Sequence, residues 1–331
     1  MHDRRPKKSL KKFIPREADM NRVLEHLGTK YPIIQSPMAW IARSQLASAV
    51  SNAGALGIIE TSSGEMEQCM EEIRKMRTLT DKPFGVNLAL MFLRSENMVD
   101  MVIDEGVRFV TTSAGSPAKY IEKLKKSGVI VYHAVPTTAM AMKAVAAGVD
   151  GLIVEGAEGG GYKNPEEVSL SVLLQTIREK TDIPMVAAGA IVDGRGMAAA
   201  FAAGAEGVQM GTRFVSSAES PVHRNFKQAI VDGDETGTVV LNKKSTPCVR
   251  ALKTERSMAI AEAGIMERAT GFGSVLDLYF GGDMEASLGL AGQGIGLIHE
   301  VKPAKQIIDE TVESFFAIAD RFAAQATSRS F

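Results

Sequence analysis

One pattern constrains this chain more than any other: short β-branched segments alternate with amphipathic segments along most of its 331 residues. The predicted strands are residues 33–35, 56–59, 84–87, 108–112, 129–133, 151–155, 184–188 and 207–210. The predicted helices, which carry apolar residues at helical spacing, are residues 45–53, 64–76, 98–105, 118–126, 138–147, 170–180 and 196–203. Eight strand–helix units favour an α/β fold of the closed (β/α)8 TIM-barrel type, because an open doubly wound sheet usually carries about five or six strands.

Glycines mark the ends of several predicted helices. A glycine stands just before the next strand at Gly54, Gly106, Gly128, Gly148 and Gly204. Glycine adopts the left-handed conformation that ends many helices, so we expect these positions to be helix caps.

The pattern divides the chain into four regions. Residues 1–30 are expected to form a basic N-terminal arm and a first helix, and residues 31–216 the barrel. Residues 217–285 mix charges, short helices and paired glycines, which predicts a smaller, mostly helical appendage over the barrel mouth, as a lid or a substrate wall. Residues 286–331 are expected to form C-terminal helices, at 291–298 and 303–324, that close the barrel.

Composition excludes several classes of function. The formal net charge of -1 gives no field that would attract nucleic acid or an anionic membrane surface. No apolar run approaches the roughly 20 residues needed to span a bilayer, and no apolar stretch follows the basic first residues as a secretory signal requires. Only two cysteines, Cys69 and Cys248, occur, far apart, so we expect no disulfide framework and a cytoplasmic protein.

The active site of such a barrel lies at the carboxyl ends of its strands. "AAGAIVDGRG" follows the seventh predicted strand and "QMGTRF" follows the eighth. Backbone N–H groups in glycine-rich loops at these two places commonly bind phosphate, with a helix N-terminus behind them. We therefore expect Gly189, Gly211 and Thr212 to hold a phosphate monoester; the alternative is that these glycines only permit tight turns.

Other chemistries lack their motifs. No GxGxxG opens the first strand–helix unit, and "GQGIGL" at 292–297 lies in a helical run, where we expect it to serve helix packing. The cysteines and histidines have no zinc-site spacing, so no metal is expected. There is no GxSxG motif and no strand-end lysine for a Schiff base. A phosphate-bearing ligand beside few ionisable groups indicates that a cofactor carries the chemistry.

Five colinear segments resemble a known family. They are "YPIIQSPMAWIARSQLASAVSNAGALGII", "DKPFGVNLAL", "VEGAEGGGY", "PMVAAGAIVDGRGMAAAFAAGAEGVQMGTRF" and "LAGQGIGLI". Together they resemble the nitronate monooxygenase family, formerly called 2-nitropropane dioxygenase-like, and the FMN-dependent enoyl-acyl-carrier-protein reductases close to it. The likeness runs from Tyr31 to Ile298 and is more specific for the superfamily than for one reaction.

The resemblance implies FMN in the barrel mouth. Pro37, Met38 and Ala39 would line the flavin ring, and Asn87 would hydrogen-bond its edge. Glu155, Gly159 and Gly160 would approach the ribityl chain and the ring. The phosphate would lie against Ala188, Gly189, Gly211 and Thr212, and Gln209 lies just before the last of these loops.

Two residues are catalytic candidates. Family members commonly carry a histidine over the flavin where this chain has Tyr162. Histidine titrates near neutral pH and suits proton transfer, whereas a tyrosine side chain titrates near 10 and serves as a hydrogen-bond donor. Tyr162 is therefore expected to contact substrate, to transfer a proton, or only to wall the pocket. His133, at a strand end, would lie beneath the flavin, with or without a proton role. Lys163 could attract an anionic substrate tail, although a lone lysine on a loop is expected to be solvated.

Three functions remain open. The first is an FMN-dependent monooxygenase that oxidises alkyl nitronates with oxygen. The second is a reductase in which NADH or NADPH reduces the flavin, which then reduces an enoyl thioester, carried on acyl-carrier protein or coenzyme A, or a quinone. The third is a non-catalytic flavin-binding barrel. The expected partners are a small-molecule or acyl-thioester substrate and, by family resemblance, a second copy in a homodimer.

Overall fold

The computed structural model describes residues 21–64, 66–93, 97–266 and 271–328, so the predicted basic arm lies outside the described residues. The strands are β1 Ile33–Gln35, β2 Gly57–Ile59, β3 Phe84–Ala89, β4 Phe109–Ser113, β5 Ile130–Val135, β6 Gly151–Glu155, β7 Gly161–Tyr162, β8 Met185–Ala188, β9 Gly207–Met210, β10 Thr238–Leu241 and β11 Val249–Leu252. The helices are α1 Arg22–Leu27, α2 Ser44–Asn52, α3 Met66–Leu79, α4 Asn97–Asp104, α5 Ile121–Lys126, α6 Thr138–Ala147, α7 Leu170–Arg178, α8 Gly194–Ala202, α9 Thr212–Val215, α10 Arg224–Val231, α11 Glu255–Ala263 and α12 Ala304–Ser328.

Eight parallel strands form the barrel. Their order is β1, β9, β8, β6, β5, β4, β3 and β2, and neighbours in this order are hydrogen-bonded. The first and last strands of the order meet in a parallel bridge between Ile34 and Leu56, where the Gln35 N–H donates to the Leu56 carbonyl over 2.9 Å. The ring is thereby closed, and the predicted TIM barrel with its eight strands is confirmed.

Side chains that point into the barrel form a small apolar core. Its buried members are Val23, Leu27, Ile34, Leu56, Ile58, Phe109, Tyr132, Ile153, Val186 and Ala188. Two of these belong to α1, which therefore plugs the amino-terminal end of the barrel. The opposite faces of the strands contribute to the larger core beneath the surrounding helices. Because side chains alternate along a strand, residues two positions apart point to the same side, and one inward residue identifies the others on its strand.

The glycine caps predicted from the sequence are present. Gly54, Gly106, Gly128, Gly148 and Gly204 all have a positive φ, between 65° and 103°. Side chains begin several helices in the same regular way: Thr137 accepts a hydrogen bond from the Met140 N–H, and Asp193 accepts from the Arg195 and Gly196 N–H groups. These caps set where each helix turns back towards the next strand.

The appendage contains a sheet as well as helices. Strands β10 and β11 form an antiparallel pair, and β11 also pairs with β7, which belongs to the loop after β6. The appendage is thus joined to the carboxyl end of the barrel through backbone hydrogen bonds. We did not expect this sheet from the sequence, because β7 has only two residues and one of them is Gly161.

The last helix returns to the barrel wall. Helix α12, expected at 303–324, runs from Ala304 to Ser328 and packs on α8 and α2. Its backbone comes so close to α8 that a Cβ added at Gly194 would lie 2.3 Å from the Phe315 nitrogen and 2.4 Å from the Thr311 carbonyl oxygen. None of the described helices is both long and apolar enough to span a membrane.

We therefore expect a methyl group added at two glycines of α8 to have opposite effects on the stability of the fold. Gly194→Ala should lower the free energy of unfolding by about 2 kcal/mol or more, because the methyl group overpacks against backbone that has no room to move. In Gly196→Ala the methyl group would stay 3.5 Å from Ile191, and alanine should stabilise the helix by up to about 1 kcal/mol. Urea unfolding of both variants measures the difference; equal stability would contradict the packing of α12 on α8.

Candidate functional site

Polar side chains cover the inner core at the carboxyl end of the barrel. Ser36 follows Ile34 by two positions and Glu155 follows Ile153 by two, so both share the inward side of their strands. Asn87 on β3 and Gln209 on β9 follow Gly85 and Gly207 by two positions, and Cβ atoms added at those glycines would lie 2.8 Å from Ile58 and Val23 of the inner core, so both side chains also point inward. The barrel therefore presents a polar floor to whatever binds in its mouth.

Asn87 is held in place on this floor. Its side chain is 3% exposed, and its Nδ2 donates to Thr111 Oγ1 over 3.0 Å and to Ser113 Oγ over 3.3 Å. Its backbone carbonyl accepts from Thr61 Oγ1 over 2.8 Å. These bonds fix the orientation of the amide before any ligand arrives.

Gln209 carries an acceptor that has no protein donor. Its Nε2 donates to Ser36 Oγ over 3.2 Å, while its Oε1 is buried and makes no hydrogen bond among the residues that the structure describes. An unsatisfied buried acceptor of this kind calls for a donor from outside the chain. The N–H or O–H group of a bound ligand would meet that need.

The loop after β1 keeps a fixed shape. The Met38 carbonyl accepts from the N–H groups of Ile41 and Ala42, over 3.0 and 2.9 Å, so Pro37, Met38 and Ala39 enter a tight turn above β1. The structure places these three predicted residues at the mouth, next to Ser36.

A buried glutamate organises this loop and the next. Glu60 is fully buried at the end of β2 and accepts from the N–H groups of Trp40 and Ser63, over 3.1 and 2.9 Å, and from Ser62 Oγ over 2.9 Å. Arg43 completes the set with an ion pair at 3.0 Å. Trp40, at φ 68°, is held in a conformation that non-glycine residues seldom adopt.

The two carboxylates of the segment "EGAEGGGYKN", residues 155–164, make different contacts. Glu158 accepts from the Leu170 N–H at the start of α7, over 3.1 Å to each oxygen. Glu155 instead forms an ion pair with Lys163, whose side chain is 3% exposed. The expectation that Lys163 is solvated is therefore wrong: its side chain folds back beneath the glycines.

The predicted glycines of three loops come together. A Cβ added at Gly189, which has φ 119°, would lie 3.4 Å from the backbone nitrogens of both Gly156 and Gly159. Gly211 lies beside Ser36, with 3.5 Å between its added Cβ and the Ser36 Cβ. The loops after β6, β8 and β9 thus bring their backbones together above the floor, next to Ala188 at the end of β8.

The motif "GQGIGL" packs on these loops from the appendage side. Residues Gln293–Leu297 form a 3-10 helix, as a packing motif rather than a dinucleotide motif. The Gly292 N–H donates to Thr212 Oγ1 over 3.0 Å, and a Cβ at Gly160 would lie 2.5 Å from the Ala291 carbonyl carbon. Gly160 is therefore required by this contact, whatever else it approaches.

Tyr162 stands at the rim of the mouth with half of its side chain exposed. Its ring lies 5.9 Å from the ring of Phe92, in the loop after β3, and 6.0 Å from that of Phe272 in the appendage. Three aromatic rings therefore form one wall, with the tyrosine in the middle. Phe92 also lines a cavity of about 230 Å³, together with Thr61, Leu93 and Met98.

His133 does not reach the mouth. Its neighbours Tyr132 and Ala134 belong to the inner core, whereas Val131 and Val135 belong to the outer one, so His133 points outward towards the helices. It is 6% exposed and hydrogen-bonded through Nδ1 to Thr112 Oγ1 over 2.7 Å. Burial lowers the pKa of His133 to about 4. We correct the expectation accordingly and assign His133 no catalytic role.

Several residues of the site escaped the sequence analysis. Ser36, Thr111 and Ser113 are inward-facing polar residues, and counting in steps of two from the inner core could have found the last two. Nothing in the sequence signals the buried pair of Glu155 with Lys163, or the contact of Gly292 with Thr212. Among the described residues no three His, Cys, Asp or Glu side chains form a group that could hold a metal ion.

The buried histidine predicts a pH dependence of stability. With its pKa at about 4 in the folded chain and near 6.5 when unfolded, His133 binds more protons in the unfolded state across that interval. Its contribution should lower the free energy of unfolding by about 2 kcal/mol from about pH 7.5 to about pH 5. Urea titrations of the wild type and His133→Asn at both pH values isolate the effect; an equal loss in the variant would contradict it.

Comparison with known proteins shows the family. The family model described as nitronate monooxygenase matches residues 21–95 and 89–314. A nitronate monooxygenase of Pseudomonas aeruginosa is 30% identical over 291 residues, which are 74% of this chain and 83% of that protein.

Two further proteins are similar over most of this chain. The (3aS,4S,5R,7aS)-5-hydroxy-7a-methyl-1-oxo-octahydro-1H-indene-4-carboxyl-CoA dehydrogenase of Mycobacterium tuberculosis is 36% identical over 255 residues, covering 76% of this chain and 70% of the relative. The solved structure of FabK from Thermotoga maritima is 40% identical, with a TM-score of 0.87, covering 92% of this chain and 98% of that one. The chain therefore belongs to the nitronate monooxygenase family, and it is an oxidoreductase.

Proposed function

We propose that this protein is an FMN-dependent oxidoreductase that passes electrons from NADH or NADPH to an α,β-unsaturated acyl thioester. The observation that carries the proposal is the wall at the mouth, in which Tyr162 stands between Phe92 and Phe272. A half-exposed tyrosine among apolar rings suits an apolar substrate that needs a hydrogen-bond donor. His133, the other candidate for proton transfer, points away from the mouth.

The residues present fit FMN. The loops that carry Gly156, Gly159, Gly189 and Gly211 meet above the polar floor, and glycine is the residue that lets a phosphate and a ribityl chain approach the backbone. The unpaired Oε1 of Gln209 matches a ligand that brings N–H and O–H donors, as a flavin and its ribityl chain do.

Each predicted residue has a task in this arrangement. Backbone N–H groups of Gly189, Gly211 and Thr212 would hold the phosphate. The turn of Pro37, Met38 and Ala39 would line one side of the flavin ring, and Asn87 would hydrogen-bond to its edge. Ala188 would lie beside the phosphate, and Glu155, Gly159 and Gly160 would lie along the ribityl chain.

FMN, when bound, supplies hydride transfer from a nicotinamide to an acceptor. The overall reaction oxidises NAD(P)H to NAD(P)+ and adds a hydride to Cβ and a proton to Cα of the enoyl thioester. The aromatic wall would exclude water from the reacting carbons, and the Tyr162 hydroxyl would donate a hydrogen bond to the thioester carbonyl. Charge that develops on that oxygen would strengthen this bond.

The thioester class has support from a relative. The Mycobacterium tuberculosis protein at 36% identity is named as a dehydrogenase of a coenzyme A thioester. Oxidation of a carbon–carbon bond beside a thioester and its reduction use the same site in opposite directions. A quinone remains an alternative electron acceptor.

A second candidate is the oxidation of an alkyl nitronate with oxygen. The family model and the Pseudomonas aeruginosa enzyme favour it. Tyr162 argues against this candidate, because the resemblance implies a histidine at that position.

Anaerobic stopped-flow absorbance separates these functions. The protein loaded with FMN is mixed with NADH, with NADPH or with propyl-2-nitronate. We expect rapid bleaching of the flavin band by a nicotinamide. Bleaching by the nitronate alone, with nitrite formed on admission of air, would establish the second candidate instead, and bleaching by none of them would favour a non-catalytic flavin-binding barrel.

Tyr162→Phe tests the tyrosine with its ring retained. Loss of one hydrogen bond to the substrate should reduce the rate of thioester reduction about tenfold, as a loss of about 1.4 kcal/mol would. The rate of flavin reduction by the nicotinamide should stay unchanged, because that step precedes the thioester. An unchanged rate of thioester reduction would remove the hydroxyl from the mechanism.

Gln209→Met should affect the loaded protein more than the empty one. The variant removes a buried acceptor that lacks a partner and also loses the Nε2 hydrogen bond to Ser36 Oγ, so the two effects offset and the apoprotein should stay within about 1 kcal/mol of the wild type. The affinity for FMN should fall about tenfold, because the ligand loses an acceptor. Thermal unfolding and fluorescence titration measure the two effects; unchanged FMN affinity would contradict the assignment of Gln209 to the cofactor site.

A further inference from the structure

Lys163 is buried in a way that its sequence position does not suggest. Its side chain is 3% exposed, and its ammonium group forms an ion pair with the Glu155 carboxylate, whose side chain is 33% exposed. Removing a lysine from water is costly unless its charge is paired. A buried, paired lysine next to the mouth therefore indicates that this side chain positions its neighbours.

The pair lies directly against the glycine loop. A Cβ added at Gly159 would be 2.7 Å from Lys163 Nζ and 2.8 Å from Glu155 Oε1. The backbone nitrogen of the same glycine faces Gly189 in the loop after β8. The ion pair therefore supports from behind the backbone surface that is proposed to receive FMN.

The same pair joins two parts of the fold. Glu155 ends β6 of the barrel, whereas Lys163 directly follows β7, whose partner β11 belongs to the appendage. The Lys163 N–H donates to the Cys248 carbonyl over 2.8 Å, which continues the pairing of these strands. Alternation along the strand puts the side chains of Tyr162 and Lys163 on opposite faces. The buried side chain of Lys163 therefore anchors the short strand that carries Tyr162.

We propose that Lys163 is a positioning residue for the cofactor site. Its ammonium group fixes the Glu155 carboxylate against Gly159, and so holds residues 156–161 in the shape that receives the ribityl chain of FMN and keeps Gly159 against Gly189, whose loop is proposed to bind the phosphate. This inference rests on the proposed function, in that FMN is taken as the ligand of the mouth. It assigns the lysine no contact with the substrate.

The test compares FMN with riboflavin, which lacks the phosphate. Apoproteins of the wild type, Lys163→Met, Glu155→Gln and the double variant are titrated with both ligands, and flavin fluorescence gives each dissociation constant. Lys126→Met is the matched control, because Lys126 forms an exposed ion pair with Glu122 at 2.6 Å on α5. Thermal unfolding of each apoprotein reports stability separately.

We expect Lys163→Met to weaken FMN binding about tenfold or more and to lower the preference for FMN over riboflavin. The double variant has no unpaired buried charge, so it should unfold near the temperature of the wild type and still bind FMN weakly. The control should match the wild type in every measurement.

Two results would overturn the inference. One is FMN affinity in Lys163→Met within about twofold of the wild type, which leaves the proposed function intact. The other is a double variant that regains both stability and FMN affinity, which would make the pair a structural link only. A wild-type apoprotein that binds neither FMN nor riboflavin would overturn the proposed function itself, and the role of Lys163 with it.

Discussion

Closure of the barrel is the constraint on which the site depends. Once the bridge between Ile34 and Leu56 joins the two outermost strands, all eight strands end at one rim and every second side chain points inward. The apolar core then fills the barrel, and Ser36, Asn87, Glu155 and Gln209 must cover it. Loops that are far apart in the sequence meet above this floor for the same reason.

Backbone rather than side chains makes most of the surface above that floor. Gly156, Gly159, Gly189 and Gly292 bring three segments of chain to distances at which a methyl group would collide or barely fit. Side chains mainly support this backbone from the side away from the mouth. Glu60 accepts hydrogen bonds from the loops after β1 and β2, and the ion pair of Lys163 with Glu155 supports the loop after β6. A site of this kind suits a large, flat cofactor that carries its own chemistry.

The sequence predicted the fold better than the site. Strand and helix periodicity located all eight barrel strands, and the helix-capping glycines were found because only their backbone freedom mattered. The three-stranded sheet was missed because β7 is two residues long and has no periodicity of its own. His133 was misplaced for a physical reason: a strand-end position is visible in the sequence, but inward or outward orientation depends on where the strand meets its neighbours. The burial of Lys163 depends on a contact with Glu155 through a folded loop, which no local pattern encodes.

The most direct test of the account is the fate of electrons taken from the nicotinamide. Protein loaded with FMN and reduced anaerobically by NADH or NADPH is mixed with crotonyl-CoA, with butyryl-CoA as the saturated control. The account predicts that crotonyl-CoA restores the flavin absorbance and is converted to butyryl-CoA, while the control leaves the band bleached. If crotonyl-CoA and longer enoyl thioesters leave it bleached while the oxidised protein is reduced by a nitronate, the thioester assignment is wrong and the tyrosine at the mouth serves nitronate oxidation.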